Sequence, residues 1–463
     1  MPIAQPRMTE SALIDASDLD APFATRAGTT ISRRRFLADA SALAERLPAS
    51  GSMLNLSTDR YRFALGFGAA LLRGHTSLLP PNHVADTVAR LRERFADVYA
   101  LVEGEADGHG LPTVRHHERG DDDGSPPAVD IVPHIDDDLV AAYVLTSGST
   151  GEPVPHAKPW GLLVRNASSE ASRLASALGR SDVRGVALVA TVPAQHMYGF
   201  ESSVLLALHG GAVLDAGRPF FAADVAAALA LAPAPRVLVT TPFHLKKILD
   251  AEIALPPLAL VLCATAPLAP QLAARAEARF GAPLVEIYGC TEAGQIATRR
   301  TIAGPEWQTF AGLSLRGDGD EVTVSGGHVP QPTVLADVLE VESEHAFRLL
   351  GRSNDLINVA GKRSSIGHLN FHLNSIEGVA HGAFWMPPDD DADALGIVRL
   401  VAFVVAPDLA RERIVAELRS RVDAAFLPRR VVHVDALPRE ATGKIAIARL
   451  VELAAHLPAP GKG

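Results

Sequence analysis

The sequence holds only two cysteines in 463 residues, Cys263 and Cys290. Two thiols build neither a disulfide framework nor a metal site. Positive charge is also scarce: 43 Lys and Arg stand against 53 Asp and Glu, for a net charge of -10. That balance argues against a broad nucleic-acid surface, although a local basic patch for a phosphate-bearing ligand stays open. No apolar run reaches the roughly 20 residues that span a bilayer. The Ala-rich stretch 225–239 is interrupted by Pro233, Pro235 and Arg236. Ser32-Arg-Arg-Arg-Phe-Leu37 has the letters of a twin-arginine export signal, but Asp39, Glu45 and Arg46 follow where an apolar segment would be required. Phe36, Ala40, Leu43, Ala44 and Leu47 fall instead at the spacing of an amphipathic surface helix. A cytoplasmic protein without membrane insertion is expected.

What is present is ordinary globular material: 48% hydrophobic and 21% charged residues, in a chain long enough for two or three domains. Apolar, β-rich runs at 139–145, 186–192, 236–239, 258–263 and 284–288 alternate with helical patterns such as 168–178 and 271–280. That alternation predicts an α/β fold of parallel sheet covered by helices. The stretch 105–127, rich in Gly, Asp and His, reads as an exposed loop. After Phe310 short Gly-punctuated strands (321–325, 347–350) predict a small β-subdomain. Beyond Gly351 an α+β pattern begins, with a strand over 399–406 and a helix bearing Ile414, Leu418, Val422 and Phe426. The expected division is an N-terminal domain, 1–353, and a C-terminal domain, 354–463.

Four short segments carry chemistry. The first follows the apolar run ending at Leu145: Thr146, Ser147, Gly148, Ser149, Thr150 and Gly151. Its glycines let backbone approach an anion, and N–H and hydroxyl groups can cradle phosphate oxygens. It lacks the Gly-Lys-Ser/Thr ending of a Walker A loop. Tyr288-Gly-Cys-Thr-Glu292 follows another apolar run, where an open α/β sheet binds ligands. It offers an aromatic plane, a hydroxyl and a carboxylate suited to Mg²⁺. Leu350-Gly-Arg352 and Pro438-Arg-Glu-Ala-Thr-Gly-Lys444 complete the set.

In this order the four segments resemble the signatures of the adenylate-forming superfamily, which includes acyl-CoA synthetases, peptide-synthetase adenylation domains and firefly luciferase. The resemblance extends over nearly the whole chain. It implies an ATP-dependent acid–thiol ligase: a carboxylic acid and MgATP give acyl-AMP and pyrophosphate, then a thiol of CoA or of phosphopantetheine on an acyl carrier protein takes the acyl group. It assigns the 146–151 loop to phosphate, Tyr288 with Gly289 and Ala264 to the adenine, and Thr291 to phosphate. Glu292 would hold Mg²⁺, Asp337 the ribose, Arg352 the ribose or phosphate, and Lys444 would bridge the reacting carboxylate and α-phosphate. His196, Tyr198 and Gly199, in Gln195-His-Met-Tyr-Gly199, match a segment that walls the acyl pocket. The C-terminal domain is expected to be mobile, rotating about Asn354 to withdraw Lys444 and present Gly361 and Arg363 to the pantetheine arm.

This chain departs from the family pattern at three places. Val154 stands where a lysine usually follows the loop proline; Lys158, ahead of Pro159 and an expected helix N-terminus, is the candidate substitute on the β- or γ-phosphate. Asn354 replaces the usual Asp or Lys of the hinge, and His368 and Asn370 stand in for glutamates. Short stand-alone members resemble the ligases of aryl-polyene and xanthomonadin-type pigment clusters, which load hydroxybenzoate-like acids. Other readings of the same residues are an adenylating enzyme with an amine or alcohol acceptor, and an inactive nucleotide- or acyl-binding homologue.

Overall fold

The computed structural model describes residues 9–116, 131–147, 153–318, 321–352, 356–359, 362–387, 399–438, 449–450 and 452–453. Strand-forming runs that are apolar throughout, such as Ala187–Ala190 and Leu260–Cys263, are buried on both faces. They lie parallel with helices packed over them, as continuous hydrophobic strands must. The parallel core Leu284–Cys290, Leu260–Cys263, Arg236–Thr240, Ala187–Ala190, Val213–Asp215 and Pro22–Arg26 is extended antiparallel at both ends into an eleven-stranded sheet. A second, six-stranded sheet contains Ser52–Asn55, Thr76–Leu79, Val98–Val102, Thr113–Arg115, Val140–Ser147 and Pro153–Pro159; only the last runs antiparallel to its neighbour.

Helix Arg33–Ala44 is capped by the Ser32 hydroxyl, which accepts from the Arg35 N–H. It buries Phe36, Ala40, Leu43 and Ala44, the face expected from their spacing. Helix Trp160–Ala177 starts directly after Pro159, at the expected helix N-terminus, runs through most of the 168–178 pattern, and packs on the helix Phe200–Gly210, which has the wide turns of a π-helix. The expected loop 105–127 is partly wrong: Thr113–Arg115 forms the edge of the six-stranded sheet, and His116 is buried with Nε2 2.9 Å from the Ser57 hydroxyl. Residues 117–130 lie outside the described residues.

A three-stranded antiparallel sheet of Leu313–Asp318, Glu321–Gly326 and Val329–Val334 supplies the small β-subdomain. The strand Ala346–Arg352 does not join it; it pairs with Glu306–Thr309 and Asp337–Ser343 in the large sheet. Farther on, His381–Trp385, Val401–Val405 and Arg430–His433 form a sheet with helices Ile366–Asn374 and Arg411–Arg419. The helix Arg411–Arg419 ends at Arg419, so Val422 and Phe426 pack from a following turn rather than from one continuous helix. Among the described residues no helix is long and apolar enough to cross a membrane.

Candidate active site

Register across the parallel core brings Thr191, Thr240, Ala264 and Tyr288 toward one edge of the sheet, where the strands' carboxyl ends lie. The Thr191 and Thr240 hydroxyls meet there at 3.0 Å. Ala264 is buried, and the next residue, Thr265, has φ +82°. A β-branched residue at positive φ is strained and is found where a site requires the backbone to turn.

At this edge Leu284–Cys290 turns through Thr291–Ala293 into the antiparallel strand Gly294–Arg299. Two glycines permit the turn. A Cβ on Gly289 would lie 2.5 Å from the Gly294 carbonyl, and Gly294 adopts φ +80°. Tyr288 enters the turn 7% exposed, its ring against Phe347 (5.3 Å between centroids) and Trp307 (5.7 Å). Its hydroxyl donates to Asp337 Oδ2 at 2.8 Å, so the expected adenine and ribose residues are brought together. Asp337 lies opposite Arg352 in the antiparallel register. Glu292 points outward, its side chain 47% exposed and 3.8 Å from His156 Nε2. A half-open carboxylate suits a Mg²⁺ ion that keeps waters and shares phosphate ligands. Among the described residues no cluster of three or more His, Cys, Asp or Glu forms a closed cage.

Lys158 stands, as expected, directly ahead of Pro159 and the helix Trp160–Ala177, but it lies in the strand Pro153–Pro159 and is only 7% exposed. Its ammonium donates to the carbonyls of Thr291 and Glu292, the latter at 3.1 Å, instead of facing outward. Around it is a buried polar group that no motif announced. Asn166 donates to Glu201, Gln295 donates to Ser202 at 2.9 Å, and His328 Nε2 meets the Gln295 carbonyl at 2.8 Å. Burial pushes the Glu201 carboxyl up, and the Lys158 charge offsets part of that; burial pushes the Lys158 ammonium down, opposed by Glu201. Glu170 is buried beside Ser202 and Gln295; burial pushes its carboxyl up to about 7, and those two neighbours oppose the shift. One signal could have found it. Leu163, Ala167, Glu170 and Leu174 share helical spacing, which places a carboxylate on the buried stripe.

In the segment expected to wall the acyl pocket, His196 begins the short helix Met197–Gly199. Tyr198 is buried and donates to the Leu262 carbonyl at 2.9 Å, and a Cβ on Gly199 would lie 2.0 Å from the Pro193 carbonyl. Tyr198 thus ties the segment to the sheet while His196 is half-buried at its start. Burial, then the charge of Arg218, lowers the pKa of both His196 and His244; His83 is lowered to about 4 chiefly by burial. These imidazoles are neutral donors and acceptors at pH 7.

Gly148, Ser149, Thr150, Gly151, Asn354, Gly361 and Lys444 lie outside the described residues. The backbones of Thr146 and Ser147 pair with Val154 and Pro153, so the phosphate-loop sequence joins two strands of one sheet. Arg363 lies in the strand Lys362–Ser365, opposite Asn358.

The profile of the AMP-binding enzyme family matches residues 64–342, which contain the edge just described. The chain is 33% identical over 307 residues to the 4-coumarate–CoA ligase of Rhodobacter capsulatus, covering 65% of this chain and 74% of that protein. It is 31% identical over 328 residues to the 4-coumarate–CoA ligase of Halorhodospira halophila, covering 65% and 73%. The fold matches the crystal structure of the anthranilate CoA ligase AuaEII in complex with anthranoyl-AMP, with a TM-score of 0.79 at 16% identity, over 97% of this chain and 98% of that one.

Proposed function

Because the chain belongs to the AMP-binding enzyme family, we propose that it activates an aryl carboxylic acid with ATP and transfers it to the thiol of CoA. The observation that carries this reading is the turn at the sheet edge. It sets an outward carboxylate, Glu292, beyond a Tyr288–Asp337 pair suited to a nucleoside. The names of the two bacterial relatives favour an aryl acid and CoA as acceptor. A carrier protein's phosphopantetheine is the other thiol with the same chemistry.

In the first half-reaction a carboxylate oxygen attacks the α-phosphorus, the bond to the β-phosphate breaks, and pyrophosphate leaves. Asp337 accepts hydrogen bonds from the ribose diol, as a carboxylate does naturally. Bound at Glu292, Mg²⁺ would neutralise phosphate charge. Lys444, carried on the C-terminal domain 354–463, supplies a cation where negative charge crowds in the transition state. In the second half-reaction the thiol loses its proton to solvent, its sulfur attacks the acyl carbonyl, and AMP departs. Rotation about Asn354 would exchange Lys444 for Gly361 and Arg363 at the site.

ATP–pyrophosphate exchange across aryl, fatty and amino acids tests the first half. CoA and a phosphopantetheinylated carrier protein are then offered to the adenylate. Aryl-dependent exchange followed by CoA thioester is expected. Exchange with no acid overturns the reading, and amide formation from added amines with no thioester replaces the acceptor.

A further inference from the structure

The geometry points to a positioning role for Lys158: we infer that its ammonium, backed by Glu201, fixes the backbone of the Thr291–Glu292 turn so that Glu292 presents its carboxylate at the sheet edge. The functional consequence rests on the reading of the site proposed above; the structural part does not.

A lysine ammonium has three donors and no acceptor. Two of them are directed at successive carbonyls, those of Thr291 and Glu292. Those carbonyls belong to the two peptide planes that flank the Glu292 Cα, so holding both restrains φ and ψ of Glu292 and with them the direction in which its side chain leaves the backbone. The side chain stays half-exposed while its own carbonyl is tied inward. Glu201, 3% exposed, is the carboxylate that most favours the buried ammonium. It also limits the turn's exit, because a Cβ on Gly294 would lie 3.0 Å from Glu201 Oε1 and 3.3 Å from Asn166 Nδ2. Tyr288, bonded to Asp337, holds the entry. The turn is therefore fastened at entry, middle and exit. Lys158 reaches it from the strand Pro153–Pro159, which belongs to the other sheet, so one side chain couples the two sheets at the edge where ligand is proposed to bind. This arrangement makes the lysine a support for a metal-facing carboxylate, not a phosphate ligand.

The test uses the full-length protein with Lys158→Met, Lys158→Arg and the double variant Lys158→Met/Glu201→Gln, which removes both buried charges and so avoids leaving one unpaired. Hydrogen exchange of amides 289–294 is read first, without substrate. Loss of two bonds from a charged donor should speed it by about tenfold or more in the double variant, with protection elsewhere retained. Pyrophosphate exchange is then followed against Mg²⁺ concentration. The expected result is a half-activating Mg²⁺ concentration raised by about tenfold, the acid KM within about twofold, and little further loss on adding Glu292→Gln. Lys158→Arg, which keeps a cation and several donors, should fall between wild type and the double variant. Unchanged amide exchange at 289–294 overturns the inference. So does a loss confined to ATP affinity with an unaltered Mg²⁺ response, which is the behaviour of a direct phosphate ligand. If wild type exchanges pyrophosphate with no acid, the functional reading fails, and the amide measurement still decides whether Lys158 holds the turn.

Discussion

Arg60 and Lys158 are buried cations that hold carbonyls at sheet edges, and they are built differently. Arg60, at the first turn of helix Arg60–Leu72, donates to the carbonyls of Ala190 (3.1 Å) and Val192 (2.7 Å) and to the Ser203 hydroxyl (2.8 Å). Lys158 donates to the carbonyls of Thr291 and Glu292. Both lean on the helix Phe200–Gly210, through Ser203 and Glu201 respectively. Arg60 uses a planar fork on neutral acceptors, and burial lowers its pKa only to about 10, so it remains charged at any working pH. Lys158 is a point charge among the carboxylates of Glu201 and Glu292, beside a third in Glu170. The first arrangement is a fixed brace beneath the proposed acyl side. The second lies beneath the proposed nucleotide side, where charge changes during turnover.

The largest expected effect breaks the fixed brace. Arg60→Ala leaves two carbonyls and a hydroxyl buried without their donor, together with the nearby Asp215 carboxyl, which burial already pushes up to about 6. A loss of about 3–5 kcal/mol of stability is expected, read by denaturant midpoint. Arg60→Lys should recover only part of it, since one ammonium does not reproduce the fork. Full recovery would make the two cations equivalent and remove the contrast.

Neither buried cation touches the reacting atoms in the proposed mechanism; that part falls to Lys444. Lys444→Ala is expected to slow acyl-AMP formation by about 10²–10³ while thioester formation from supplied acyl-AMP continues, with the melting temperature unchanged. Equal losses in both half-reactions would show that this lysine acts through structure, as Arg60 does.

The carboxylates around Lys158 add a pH signature. Glu170 titrates at about 7 in the folded protein against 4.5 for a free glutamate, because it is buried. Its contribution to stability is complete below pH 4.5 and declines as the pH rises through about 7, since the unfolded chain releases the proton first. The shift corresponds to roughly 3 kcal/mol at most. Glu170→Gln should therefore flatten the fall in stability between pH 4.5 and 7 and leave the variant more stable than wild type at pH 8. A parallel pH profile in the two proteins would mean that the folded carboxylate is better solvated than its surroundings indicate.

The alternation of apolar runs with helical spacing made the parallel core legible, since strands buried on both faces cannot hide their composition. The position of Tyr288 and Glu292 at the sheet edge was legible because their short motif follows an apolar run. Lys158 was visible as a displaced cation ahead of a helix, but the strand it belongs to was not, because Pro153 and Pro159 bound an antiparallel edge strand, a position that tolerates proline. Thr113–Arg115 was hidden for a related reason, being three residues at a sheet edge among Gly and Asp. The buried polar group was least legible of all. Asn166, Glu201, Gln295 and His328 come from four separate segments, so their proximity is a property of packing that no local spacing records.

The smallest expected effects concern the Tyr288–Asp337 pair, whose aromatic surroundings contrast with the polar bed under Glu292. Asp337→Ala removes the proposed acceptor for both ribose hydroxyls and should raise the ATP requirement by an amount equivalent to roughly 1.5–3 kcal/mol. Tyr288→Phe keeps the ring against Trp307 and Phe347 and deletes only the hydroxyl that orients Asp337 Oδ2. The carboxylate keeps its capacity for the ribose but loses one fixed rotamer partner, so a change of about 0.5–1.5 kcal/mol is expected in ATP binding. Discrimination between ATP and 2′-deoxy-ATP, measured as a ratio of kcat/KM values, separates the two roles. It should collapse in Asp337→Ala and persist, slightly reduced, in Tyr288→Phe. If instead Tyr288→Phe alone abolishes the discrimination, the tyrosine hydroxyl is itself the ribose contact, and Asp337 serves to hold the ring in place.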